Sequence, residues 1–199
     1  NQGMVNIVDA YRALALLSTH PLIDPSRIAV MGFSVGGKAS LYSGVKRFQQ
    51  LWDVSGLEFA AFVSFYPACN IRFDKDEDVS DKPIRIFYGA QDEWSSPSVC
   101  KEYIELLNAA GSDVEITVYD KAHHGFDSKS EEGAPTSVSG TFHVNCRFTE
   151  DREIGEIVQE GYKKKDKTKY VMSELDENFS VAIKKFVKAQ AGGGDFATQ

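Results

Sequence analysis

Residues 27–38, RIAVMGFSVGGK, constrain this chain more than any other stretch. Four apolar residues, Ile28 to Met31, read as a short buried strand that runs straight into Gly32-Phe33-Ser34-Val35-Gly36-Gly37. A serine at the end of such a strand and the start of a helix must sit on a sharp turn. Glycines on either side remove Cβ atoms that would collide there. The helix expected from Val35 points its N–H groups and the positive end of its dipole toward Ser34, where an anion on a bound substrate would be stabilised. Gly-x-Ser-x-Gly by itself also fits an idle glycine-rich turn. The strand before it and the helix after it are the context in which the serine acts as a nucleophile.

The rest of the chain supplies that context. Residues 6–19 predict a helix, because Ile7, Ala10, Tyr11, Leu14 and Leu17 recur at three- and four-residue steps, and His20-Pro21 closes it. The elbow helix is expected over 35–47. Residues 59–66 are almost continuously apolar and predict a strand buried on both faces. Residues 70–82 are charged and read as a loop, and 83–89 as a strand. A helix over 98–110 shows Val99, Tyr103, Leu106 and Leu107 on one face, with Gly111 after it as a cap, and 114–119 alternates like another strand. This order predicts an α/β domain with a mostly parallel sheet flanked by helices, spanning residues 1–190. Residues 128–176 read as an insertion, in which 141–148 and 153–159 pair as a hairpin around Glu150-Asp151-Arg152. A last helix is expected over 178–189, and 191–199 as a small, polar tail.

In a parallel sheet, functional groups collect at the carboxyl ends of the strands. Three candidates lie there in chain order: Ser34, Asp92 and the pair His123-His124. Each is separated from the next by enough chain for a strand–helix unit. Ser34 would attack an acyl carbon, a histidine would take its proton, and Asp92 would orient the imidazole. The N–H of Val35 would supply half of an oxyanion hole, a donor worth about 3–4 kcal/mol in the transition state. Glu93 competes with Asp92 for the acid, and His123 with His124 for the base. His20 and His143 read as structural or surface residues. Phe33, Trp94 and Phe126 are candidates to line a pocket.

Composition narrows the class further. The 199 residues carry a net charge of −7, with 22 basic against 29 acidic side chains, which disfavours nucleic acid as a partner. Lys163 to Lys165 with Lys167 and Lys169 are surrounded by acidic residues and read as a solvated surface. No apolar run approaches the ~20 residues that a membrane span needs. Cys69, Cys100 and Cys146 fit no zinc spacing and read as small buried residues. Their odd number leaves at least one unpaired in a monomer even if two are joined. The chemistry sketched above calls for no metal and no cofactor.

Together these residues resemble the dienelactone hydrolase family of α/β-hydrolases. The matching stretches are residues 22–37, Tyr66-Pro67 after a strand, Gly89-Ala90-Gln91-Asp92, and Tyr119-Asp120-Lys121-Ala122-His123-His124-Gly125-Phe126-Asp127. They cover residues 5–127, with a looser match in the last helix. In that family the catalytic histidine precedes a small residue and a phenylalanine, so the resemblance implies His124. It further implies an α/β-hydrolase-like fold and a hydrolase of small carboxylic esters or related acyl compounds. The best-known dienelactone hydrolases carry a cysteine nucleophile, and Ser34 in its place points to a general ester hydrolase. A serine peptidase of the prolyl-oligopeptidase type and a non-catalytic hydrolase-fold scaffold are the rival readings. Family members also have several strands before the elbow, and one loop there supplies the second oxyanion donor. Those strands do not fit ahead of Ser34 here. The chain is therefore expected to be N-terminally incomplete, exposing an apolar sheet edge that is completed by further sequence or by a second copy.

Overall fold

A computed structural model describes residues 2–128, 147–151 and 156–159. In chain order the elements are α1 (Gln2–Leu17), β1 (Val30–Phe33), α2 (Val35–Ser43), α3 (Lys46–Trp52), β2 (Phe62–Phe65), β3 (Ile71–Arg72), β4 (Ile84–Gly89), α4 (Pro97–Ala109), β5 (Val114–Tyr119), β6 (Phe148–Asp151) and β7 (Glu156–Gln159). They fall into two compact units.

The larger unit is built on a four-stranded, wholly parallel sheet in the order β1-β2-β4-β5. Val30 lies opposite Phe62, Phe62 opposite Ile84, and Ile84 opposite Val114. This register puts Phe62, Ser64, Ile84, Ile86 and Tyr88 on one fully buried face. Helix α2 packs on β1 and β2, α4 packs on β5, and the Tyr42 and Tyr103 rings meet between the two helices at 6.0 Å. Val63, Phe65 and Phe87, on the opposite face, are only half-buried. The continuous apolar run thus over-states burial: β2 is sealed on one face, not on both. Strand β1 forms one edge of this sheet among the described residues, and Met31 on it is 60% exposed.

Helix α1 buries Met4, Ile7, Tyr11 and Leu14 against α2, while Leu17 falls off that face and is exposed. The Tyr11 hydroxyl donates to the Ser43 carbonyl. The elbow helix does not continue to residue 47. It stops at Ser43, Val45 is extended, and α3 starts at Lys46. The backbone between them is taken by another segment. The Ser80 N–H donates to the Gly44 carbonyl (2.7 Å), the Lys46 N–H to the Asp78 carbonyl (3.0 Å), and Val45 bridges to Val79. A tertiary strand contact here overrides helix propensity. In α4 the buried set is Val99, Cys100, Tyr103, Ile104 and Leu107, and Leu106 is turned outward. Gly111 has φ +90°, as expected of a helix-terminating glycine. Cys69 and Cys100 are joined by a disulfide with Cα atoms 5.0 Å apart, which fastens the loop after β2 to α4. Cys146 lies outside the described residues.

The turn between β1 and α2 is set by close approach. A Cβ on Gly32 would stand 2.1 Å from the Gly36 carbonyl oxygen, and one on Gly37 would stand 2.5 Å from the Phe65 oxygen. A Cβ on Gly36 would meet nothing within 4 Å. The steric requirement expected of the glycine after the serine therefore falls one residue later, on Gly37.

The smaller unit contains a three-stranded sheet in the order β3-β6-β7. β3 pairs parallel with β6, and β6 antiparallel with β7. Strand β3 lies where the sequence reads as loop. Ile71 and Phe73 are buried and flank Arg72, an alternation too short to stand out among charges. Glu150 and Asp151, expected at the tip of a hairpin, sit inside β6 opposite Ile157 and Glu156. The expected last helix over 178–189 and the tail over 191–199 lie outside the described residues. No helix among the described residues is long and apolar enough to cross a membrane.

Two outcomes follow from this packing. Gly37→Ala should lose about 1–3 kcal/mol of stability to overpacking, whereas Gly36→Ala should gain about 0.5–1 kcal/mol, both read from urea unfolding midpoints. Cys100→Ser, or reduction of the parent, should cost about 2–4 kcal/mol in the same assay, because the disulfide closes a loop across a sequence separation of 31.

Candidate active site

Strands β1, β4 and β5 are parallel, so their carboxyl ends share one edge of the sheet. Ser34 follows β1 directly, Asp92 lies three residues past β4, and His124 lies in the loop after β5. Ser34 has φ +51° and ψ −113°, a conformation that L-residues adopt only under constraint. Its N–H donates to the Phe65 carbonyl at 3.0 Å, which ties the turn to β2. The loops of Asp92 and His124 are laced together by main-chain bonds. The Ala90 N–H donates to the Tyr119 carbonyl (2.9 Å) and the Gln91 N–H to the Ala122 carbonyl (3.0 Å).

This scaffold brings three of the anticipated side chains into one hydrogen-bonded line. Ser34 Oγ lies 2.9 Å from His124 Nε2, and His124 Nδ1 lies 2.9 Å from Asp92 Oδ2. The Asp92 side chain is fully buried and that of His124 is 17% exposed. Burial alone would raise the Asp92 pKa. The hydrogen bond from His124 and the N–H groups of Ser95 and Trp94 outweigh it and hold the carboxyl below its usual range. Asp92 Oδ1 accepts from Trp94 N–H (2.8 Å) and Ser95 N–H (3.0 Å), and Ser95 Oγ reaches Oδ2 at 3.1 Å. An ionised Asp92 can only accept, so His124 Nδ1 carries the proton toward it. His124 Nε2 is then free to accept from the Ser34 hydroxyl.

The competing residues are placed elsewhere. His123 turns its Nδ1 to the Gln91 carbonyl, 3.1 Å away, and Glu93 is exposed. His20 accepts a bond from Leu22 N–H in an exposed turn, and His143 lies outside the described residues. Val35 is the first residue of α2, so its N–H belongs to a turn whose donors have no partner within the helix.

Aromatic rings surround the line. Trp94 lies nearly parallel to the His124 imidazole, with centroids 5.6 Å apart and 17° between planes. Phe33 stacks on Phe65 at 4.9 Å, and Phe126 meets Tyr66 at 5.6 Å and Tyr119 at 5.3 Å. Sequence reasoning assigned no role to Tyr66, whose ring stands 4.5 Å from that of His124, or to Ser95 beneath Asp92. For Tyr66 the available signal was its place at the carboxyl end of a central strand. A serine three residues after an aspartate carries no comparable signal.

Several solved structures of hydrolases are similar to part of this chain. A Thermogutta terrifontis esterase with propionate bound is 20% identical with a TM-score of 0.48, over 60% of this chain and 55% of its own. Zea mays acyl-protein thioesterase 2 is 18% identical with a TM-score of 0.45, over 61% and 58%. An alpha/beta hydrolase from a Medee basin deep-sea metagenome is 27% identical with a TM-score of 0.47, over 60% and 50%. The chain thus spans about half the length of these proteins. No curated protein matches it significantly. The family model for dienelactone hydrolases matches residues 1–151 of the 199, and with that match the chain belongs to the dienelactone hydrolase family.

Proposed function

We propose that this chain carries the catalytic centre of a serine-dependent hydrolase of small carboxylic esters or related acyl compounds. Ser34 is the nucleophile, His124 the general base and then acid, and Asp92 the group that orients the imidazole. The observation that carries the reading is the unbroken line from Ser34 Oγ through His124 to the buried, ionised Asp92. The strained backbone at Ser34 adds to it, since strain of this kind concentrates at reacting groups.

The steps follow from the donors and acceptors. A substrate carbonyl carbon approaches Ser34 Oγ while His124 Nε2 takes the hydroxyl proton. The carbonyl oxygen becomes an anion facing the Val35 N–H and the start of α2. Asp92 steadies the imidazolium that forms. Nε2 then returns its proton to the leaving alkoxide, and an acyl-serine remains. Water, deprotonated by the same nitrogen, attacks that ester; Ser34 Oγ leaves, takes the proton back from Nε2, and the acid is freed. Phe33, Trp94 and Phe126 would offer apolar surface to the acyl or alcohol group. Membership of the family supports this reaction class.

The direct test is hydrolysis of p-nitrophenyl acetate and butyrate. Ser34→Ala and His124→Gln should each lose at least ~10³-fold in kcat/KM. His123→Gln should stay near the parent, and a fluorophosphonate should label Ser34. An undiminished Ser34→Ala would sink the reading. The acid pH response gives a second check. A carboxyl held below its ordinary value near 3.9 adds stability that is whole above that value and is lost as pH falls through the lower folded value. As pH falls below about 4 the parent's urea midpoint should therefore drop more steeply than that of Asp92→Asn.

A further inference from the structure

Tyr66 is the first residue beyond β2 and extends its ladder, its N–H donating to the Phe87 carbonyl at 2.7 Å. It is a buried, non-glycine residue with φ +39°, a conformation that needs support from its surroundings. That support comes from both loops of the site. Its ring stands 4.5 Å from His124 and 5.6 Å from Phe126, and its hydroxyl donates to Asp127 Oδ1. One side chain thus touches three of the four residues from His124 to Asp127. Its carbonyl oxygen lies 3.3 Å from Ser95 Oγ, the hydroxyl that also reaches Asp92 Oδ2. The loop of His124 is already pinned before the histidine, where Gln91 N–H meets the Ala122 carbonyl. After it the chain bends through Gly125 at φ +75°, and the Tyr66–Asp127 bond ties the far side of that bend back to β2.

We propose that Tyr66 is a positioning residue. Through its hydroxyl bond to Asp127 it holds the far side of the base loop, so that His124 Nε2 stays in register with Ser34 while Nδ1 stays on Asp92. The inference rests on the reading of Ser34, His124 and Asp92 given above. The hydroxyl points to Asp127 and not to Ser34, so it takes no part in proton transfer. Burial first, and the bond to Asp127 next, push its pKa up, which keeps it a donor throughout the working pH range.

The experiment compares Tyr66→Phe, Asp127→Ala, Asp127→Asn and the double variant Tyr66→Phe/Asp127→Ala in p-nitrophenyl ester hydrolysis. Each is also followed by the downfield proton resonance of the His124–Asp92 bond. Tyr66→Phe keeps the ring and removes only the tie. It and Asp127→Ala should each lower kcat by about 10–100-fold with KM little changed, since a displacement near 1 Å can cost that much. The downfield resonance should broaden or move upfield in both. Asp127→Asn, whose side-chain oxygen still accepts, should restore most of the rate and the resonance. The double variant should be no worse than either single one, because both break the same bond. A merely structural role would lower the melting temperature and leave kcat and the resonance unmoved, and that result overturns the proposal. Additive losses in the double variant overturn it equally. Ser34→Ala separates the two levels of argument. If that variant is inactive and Tyr66→Phe is fully active, only the positioning role fails. If Ser34→Ala is active, the reading of the site fails first.

Discussion

The hydrogen bond from Ser34 N–H to the Phe65 carbonyl is the contact on which the site depends. It extends the β1–β2 ladder one step past the end of the regular strand, and so it fixes where the chain leaves the sheet. Gly37 lies against the same carbonyl, which lets α2 start close to β2 and aim its first turn at Ser34. The positive φ at Ser34 is the local consequence. The neighbouring strand holds the serine in this conformation through that bond. Packing against the buried sheet face, through residues such as Leu41 and Tyr42 of α2, holds this arrangement in place.

The electrostatics have the same economy. A fully buried carboxylate is unfavourable unless its oxygens are satisfied. Asp92 meets that demand from its own loop, with two main-chain N–H groups and one hydroxyl, and has one lone-pair direction left for His124. The imidazole is the only titratable partner on that line, so its tautomer is dictated by the carboxylate. Trp94 receives its orientation from the same bonds, since its N–H is one of the two that Asp92 accepts. One loop of four residues therefore fixes a carboxylate, a hydrogen-bond network and a ring beside the His124 imidazole.

Much of this was legible in the sequence, and the limits have physical causes. The strand β5 and the helices α1 and α4 announced themselves through periodicity, because their partners in the core are set by their own spacing. The strand–Gly-x-Ser-x-Gly–helix junction and the order serine, aspartate, histidine picked out the three side chains that the fold brings into one hydrogen-bonded line. What failed were features decided by distant chain. Helix α2 ends at Ser43 because residues 78–80 claim the backbone of Gly44 and Lys46. Strand β3 exists because β6, far along the sequence, supplies its ladder and caps it, with Glu150 accepting from the Asp74 N–H. Choosing between His123 and His124 needed coordinates or a family pattern, since adjacent residues in a loop can point either way. Tyr66 was hidden for a related reason, because its contacts arise only once two loops meet.

The unequal glycines of the elbow bear on how such chains are found. A search pattern written as Gly-x-Ser-x-Gly demands a residue, Gly36, that packing leaves unconstrained, and it ignores Gly37, which sits against the neighbouring strand. For this geometry the informative pattern is Gly-x-Ser-x-x-Gly. A filter strict at the sixth position and permissive at the fifth would select for the close helix–strand approach itself. Chains with alanine or serine after the elbow, which the shorter pattern discards, would then be recovered as candidates for the same backbone.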